Sequence, residues 1–246
     1  IGTVLKAGVQ FNGFIRKLIR IKESEIMKFY KTLIASALLA ATGTAQAIEL
    51  SANVAAQSNY LFRGVTQTDD SAAVSGGIDM GTDTPFYLGT WMSNVDFGGD
   101  ESVEVDLYGG FGGDIGTTGL SYDLSAWYYW YPGDGDDDLD YAEASGSLGY
   151  GWFTGTIAYT FWSEASGSHP FNEGDVYYSL SVSPPWEYQG FTTSAMIGAY
   201  DFDSDGNCKS CDLNYTNWGI SVAKDAGDFG SFSVNYEQTD DKNDVT

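Results

Sequence analysis

Histidine occurs once in the chain, at His169, and cysteine only twice, at Cys208 and Cys211. His169 stands in a loop-like stretch with no nearby serine or carboxylate pattern. A histidine-dependent hydrolase therefore lacks its base, and the chain does not read as an enzyme. Apolar runs of eighteen residues are missing beyond Ile48, which excludes a transmembrane helix there. Positive charge is scarce where it matters. Seven of the eleven basic residues precede Ile48, and only Arg63, Lys209, Lys224 and Lys242 follow it, against all but two of the 34 acidic residues. Such a body cannot displace counterions from phosphates, so nucleic acid is excluded as a partner. Cations, and lipid head groups bridged by divalent ions, are the electrostatic partners this charge invites.

With 31 glycines, 15% aromatics and 5 prolines, the composition points to an all-β protein. Residues 1–26 read as an upstream, non-native leader. From Met27 come Lys28 and Lys31, an apolar run over 33–41 and the small-x-small end Ala45-Gln46-Ala47, the layout of a cleaved signal peptide over 27–47. Residues 48–246 form the exported body. Export places Cys208 and Cys211 in an oxidising compartment, where a disulfide clipping a loop tip is expected. The alternative, a redox pair, lacks its βαβ setting.

The stretch 120–132, LSYDLSAWYYWYP, alternates Leu120, Tyr122, Leu124, Ala126, Tyr128 and Trp130 with Ser121, Asp123, Ser125, Trp127, Tyr129 and Tyr131. Period two over about eleven residues fits a tilted strand that crosses a bilayer. Eleven such segments are predicted, over 50–63, 73–82, 86–97, 102–113, 120–131, 141–149, 152–162, 175–183, 191–202, 215–224 and 230–238. In 86–97 and 191–202 the pattern does not say which face is which. Short connections alternate with longer acidic ones, as in outer-membrane barrels. The expected fold is an up-and-down antiparallel transmembrane β-barrel of about 12 strands when complete, with a closing C-terminal strand missing from the sequence. The rival fold is a soluble periplasmic β-sandwich, against which aromatic residues at both strand ends argue.

The segment NYLFRGVTQ over 59–67 is similar to the TorF porin family, exported bacterial proteins known mostly by sequence. Further matches are Gly76-Gly77-Ile78-Asp79, YLGTWMSNVDF over 87–97, EVDLY over 104–108, the stretch 119–132 and GAYDFD over 198–203. The resemblance runs from about Ile48 to the end. It implies a Gram-negative outer-membrane barrel with a pore function, in contact with membrane lipid and lipopolysaccharide. The missing closing strand and the insertion carrying Cys208 and Cys211 depart from it.

Candidate site residues follow from the alternation. Asp79, Glu104, Asp106, Asp123, Glu143 and Glu237 fall on the polar faces of their strands and would line a lumen, where a ring of carboxylates favours cations. The competing reading is a hydrogen-bonded, plugged interior. Arg63, the only arginine beyond the signal peptide, either faces those carboxylates or pairs with an aspartate at the rim. DFDSDGNCKSCD over 201–212 matches calcium-loop spacing with Asp201, Asp203, Asp205 and Asp212 as ligands. A chance spacing in an Asp-rich loop competes with that, and no other cofactor is expected. Asp134, Asp136, Asp137, Asp138 and Asp140 read as a solvated acidic loop. The expected function is a channel for passive diffusion of small solutes, preferring cations. A non-conducting surface barrel or adhesin acting through acidic loops is the alternative.

Overall fold

The computed structural model describes residues 48–133, 139–164, 171–203 and 214–240. The leader, the signal-peptide segment, His169, both cysteines, Asp205, Asp212, and Asp134, Asp136, Asp137 and Asp138 lie outside the described residues. In chain order the strands are β1 (Ile48–Gln57), β2 (Leu61–Phe62), β3 (Val65–Thr66), β4 (Ala73–Thr82), β5 (Phe86–Asn94), β6 (Val103–Asp114), β7 (Leu120–Trp130), β8 (Tyr141–Tyr150), β9 (Phe153–Ser163), β10 (Val176–Val182), β11 (Phe191–Asp201), β12 (Tyr215–Asp225) and β13 (Ser231–Thr239). All but β2 and β3 form one eleven-stranded sheet, in which each strand pairs antiparallel with its neighbour in sequence. The edges, β1 and β13, are not hydrogen-bonded to each other.

The predicted first strand over 50–63 stops earlier than its pattern suggested. β1 ends at Gln57, and Leu61 to Thr66 instead make a separate two-residue-turn hairpin. Arg63 and Gly64 at its tip both have positive φ, 51° and 87°, the geometry of a type I′ turn. The Gly makes that turn affordable, since a residue with a Cβ is strained at such a φ.

Register divides every strand into two faces. Outward are Leu50 and Val54, Val74 and Ile78, Phe86, Leu88 and Met92, Leu107 and Phe111, Leu124 and Trp130, Ile157 and Phe161, Tyr178 and Leu180, Ile197, Trp218, Ile220 and Val222, and Phe232 and Val234. All are exposed. The register also resolves the two mixed segments. In β5 Leu88 pairs with Met80, and in β11 Ile197 pairs with Leu180 and Trp218, so their apolar members share the outer face. An apolar band around a whole sheet would be expelled by water and is at home in lipid. Among the described residues no helix is long and apolar enough to cross a membrane; the strands are what could cross.

On the inner face, glycines receive the tyrosines of neighbouring strands. A Cβ on Gly89 would collide with the Tyr108 ring, and one on Gly198 with the Tyr177 hydroxyl. The buried residues gather at the long-loop end. They form two clusters, Val95, Tyr129, Tyr131 and Tyr141, and Ala158, Tyr177, Tyr200, Phe202 and Tyr215. Toward the short turns the inner face carries half-buried Asp79, Asp123, Ser145, Ser147, Thr156 and Ser181.

If the outer face meets lipid, Ile197→Arg should cost about 2–4 kcal/mol in urea unfolding from phospholipid vesicles. Ser181→Lys, on the inner face of β10, should leave the midpoint nearly unchanged. Equal tolerance of both would put the outer face in water.

Candidate functional site

The hairpin β2–β3 leaves the sheet between β1 and β4 and folds into its concave side. Its base is closed by Gln67 N donating to Tyr60 O (2.7 Å) and is tied to the β5–β6 connection by Asp96 N donating to Gln67 O (2.8 Å). Asn59 Oδ1 accepts from the hydroxyls of Thr66 (2.7 Å) and Thr68 (3.2 Å), so the two arms are knotted through one side chain. The segment 59–67 is therefore a structural unit, an inward arm with an arginine at its tip.

At that tip the Arg63 guanidinium donates to both Glu143 oxygens, Nη1 to Oε1 at 2.8 Å and Nη2 to Oε2 at 2.7 Å, and to the Tyr200 hydroxyl at 2.9 Å. Three rings cover it, with centroids 4.6 Å (Phe62), 4.4 Å (Tyr177) and 5.1 Å (Tyr200) from Cζ. The side chains are 11% and 2% exposed for Arg63 and Glu143. Burial alone would lower the guanidinium's proton affinity. Glu143 outweighs it and holds Arg63 above its ordinary value, so the charge is permanent. Arg63 thus pairs with a glutamate of β8, one of the six candidate carboxylates, and not with an aspartate.

Glu143 is placed by an irregularity. A register shift between β8 and β9 at Ala142/Glu143 leaves Phe161 as an extra residue and sets Thr160 opposite Glu143. Tyr129 Oη (3.2 Å) and Thr160 Oγ1 (3.4 Å) then complete the carboxylate's acceptor capacity. Gly64 lies against the far side of the sheet, where a Cβ would come within 2.8 Å of Thr239 Cγ2 and 2.9 Å of Asn217 Cβ. One hairpin therefore touches β6 through Tyr60, β8 and β11 through Arg63, and β12 and β13 through Gly64.

A second inward element, absent from the sequence reading, is Phe171 of the β9–β10 connection. Its backbone has φ 63°, and its ring stacks on Tyr141 at 4.6 Å, with Tyr200 at 5.8 Å and Phe62 at 6.1 Å. A loop phenylalanine carries no alternation signal, so only its contacts identify it.

All six candidate carboxylates lie on the inner face, in two different settings. Glu104, Asp106 and Glu143 are buried around the hairpin. Asp79, Asp123 and Glu237 are only half-buried. Asp79 accepts from the Tyr108 hydroxyl, and Asp123 from the Tyr87 hydroxyl at 2.8 and 3.0 Å. Tyr60 donates to Glu104 Oε1 at 3.2 Å; burial and that carboxylate push the phenol well above its usual range, so it remains a donor.

The acidic loops diverge from their expectation at one residue. Asp140 is buried, accepting from Tyr131 N at 2.9 Å and from the Tyr128 hydroxyl at 2.6 Å, so it closes the β7–β8 connection instead of being solvated. Of the calcium-loop residues, Asp201 and Asp203 are exposed and flank the inward Phe202. Among the described residues no group of three or more His, Cys, Asp or Glu has metal-holding geometry. Asp175, which the sequence reading did not single out, is fully buried and staples two long loops: it accepts from Asn172 N at 2.8 Å and Asp203 N at 2.9 Å.

Two predictions follow from this geometry. Arg63→Ala strands the buried Glu143 charge and should cost about 3–5 kcal/mol in urea unfolding, while Arg63→Met combined with Glu143→Leu should recover most of that loss. Burial pushes the Asp175 carboxyl up to about 6 from an ordinary 3.8, despite its backbone hydrogen bonds. Folding therefore takes up a proton there. The associated stabilisation is complete below the lower value and is lost as pH rises through about 6. Amide exchange in the segment 171–175 should quicken over that window, and Asp175→Asn should flatten the dependence.

The chain aligns with the outer membrane protein opdK of Pseudomonas aeruginosa at 12% identity and TM-score 0.39, covering 78% of this chain and 61% of that one. For OccK8 (OprE) of the same organism the values are 14%, 0.39, 77% and 58%. For OccK2 (OpdF), solved with glucuronate, they are 14%, 0.36, 76% and 57%. The chain thus spans less than two thirds of the length of each of these proteins. No curated protein matches it. A family model described as a bacterial protein of unknown function, Gcw_chp, matches residues 41–246, and the chain belongs to that family.

Proposed function

We propose that the protein is an outer-membrane barrel that passes small solutes and prefers cations, with the β2–β3 hairpin as its constriction. The observation that carries this reading is the division of the sheet. Every long strand turns apolar side chains outward, while six carboxylates and a single arginine face inward. A polar lumen inside a lipid-facing wall suits the entry of something hydrophilic, and an acidic lining lowers the energy of cations there. The resemblance of 59–67 to the TorF porins supports the same class, and export through the segment 27–47 would deliver the barrel to a Gram-negative outer membrane. With the N-terminus on the periplasmic side, the acidic connections and the hairpin lie at the outer end, against lipopolysaccharide.

Selectivity would reside in the half-buried Asp79 and Asp123, since Glu143 is neutralised by Arg63. A second reading draws on the rings Tyr129, Tyr141, Phe171, Tyr200 and Phe202, which fill the outer end beside the hairpin. On that reading the barrel conducts nothing and acts as a surface protein through its acidic loops.

Planar-bilayer recording of the mature protein under a salt gradient separates the two. The channel predicts discrete steps with a cation-selective reversal potential, moved toward zero by Asp79→Asn with Asp123→Asn. A correctly inserted barrel without steps would overturn it in favour of the surface role.

A further inference from the structure

Behind the hairpin, Glu104 and Asp106 share the inner face of β6, two residues apart. They are 2% and 5% exposed. Tyr60 satisfies Glu104 Oε1. Among the described residues Glu104 Oε2 and Asp106 Oδ1 are buried with no hydrogen-bond partner, on neighbouring positions of one face of β6.

The surrounding charges give no relief. From the hairpin come Tyr60 and Arg63, and Arg63 is committed to Glu143 through both prongs of its fork. From β5 come the neutral Ser93 and Trp91 opposite the pair. From β7 and its end come the phenols of Tyr129 and Tyr131, and from β8 comes Glu143, whose charge Arg63 already balances, so no positive charge is left for the pair. Two ionised carboxylates here would be an uncompensated double charge out of water, which costs far more than binding a proton. One hydrogen placed between the two oxygens would satisfy both at once and halve the charge.

We propose that Glu104 and Asp106 form a proton-binding site, holding one proton between Glu104 Oε2 and Asp106 Oδ1 at neutral pH and exchanging it with lumen water. Release leaves a dianionic pair and a hydrated proton; recapture restores the monoanion. The released state needs water or a cation beside it, and the groups that exclude both are Tyr60 and the hairpin. Deprotonation therefore favours withdrawal of the hairpin. For permeation, which rests on the channel reading, this makes cation conductance rise with pH.

Infrared spectroscopy of the mature barrel in vesicles tests the site without any current. At a pH above the titration of Asp175, the wild type should show a protonated-carboxyl band that shifts in heavy water. That band should be lost in Glu104→Gln and again in Asp106→Asn, each of which leaves a single ionised carboxylate. Its absence from the wild type would overturn the site, and so would its persistence in both variants. Should either variant fail to insert, the wild-type band followed to alkaline pH decides: its disappearance supports the pair, and an unchanged band refutes it. A silent bilayer recording beside a band that behaves as expected would leave the proton site standing and remove only the channel.

Discussion

The interior depends on one ion pair. Arg63 is the only arginine beyond the signal-peptide segment, and it is held away from water by three rings and matched to a carboxylate on the opposite wall. A buried guanidinium is tolerable only when its donors are spent and its partner's acceptors are filled. Here the fork engages both oxygens of Glu143 and the Tyr200 hydroxyl, and Tyr129, Thr160 and Tyr200 donate to the same carboxylate. The pair anchors the hairpin's tip as the hydrogen bonds of Gln67 and Asn59 anchor its base. Strands as distant in sequence as β6 and β13 touch the same short arm, 59–67.

A second constraint is that the sheet faces two environments. The outer surface carries large apolar side chains on every long strand, and the inner one carries serines, glycines, tyrosines and acids. Inner glycines and tyrosines belong together: a strand that gives up its side chain lets a phenol from the next strand lie flat and reach a carboxylate, as Tyr108 does over Gly89 to Asp79. Polar groups in such a wall must find partners within it. Among the described residues the buried side-chain oxygens without a partner are one each on Glu104 and Asp106.

The asymmetry along the lumen bears on function more than its width does. At the long-loop end, charge is buried, paired and covered by aromatic rings. At the short-turn end, carboxylates remain within reach of solvent. A solute entering from the short-turn side would meet Asp79 and Asp123 before the arginine. The outer end holds a hairpin that is hydrogen-bonded at its base and ion-paired at its tip. Movement there involves breaking specific contacts, and Tyr60 links those contacts to the carboxyl pair behind them.

By itself the sequence determined most of the strands, the faces of all but 86–97 and 191–202, and the placement of the six carboxylates on polar faces, because period-two alternation in a two-faced sheet is a local property that survives any closure. The same logic misassigned the residues after Gln57, where apolar and polar side chains still alternate but the chain has left the wall. Only the tertiary structure decided that Arg63 pairs with Glu143, that Phe171 folds inward, that Asp140 and Asp175 are buried staples, and that one oxygen each of Glu104 and Asp106 is buried without a partner among the described residues. The first two depend on contacts between segments far apart in the chain and the others on how loops and neighbouring strands cover a residue, and a linear pattern carries information about neither.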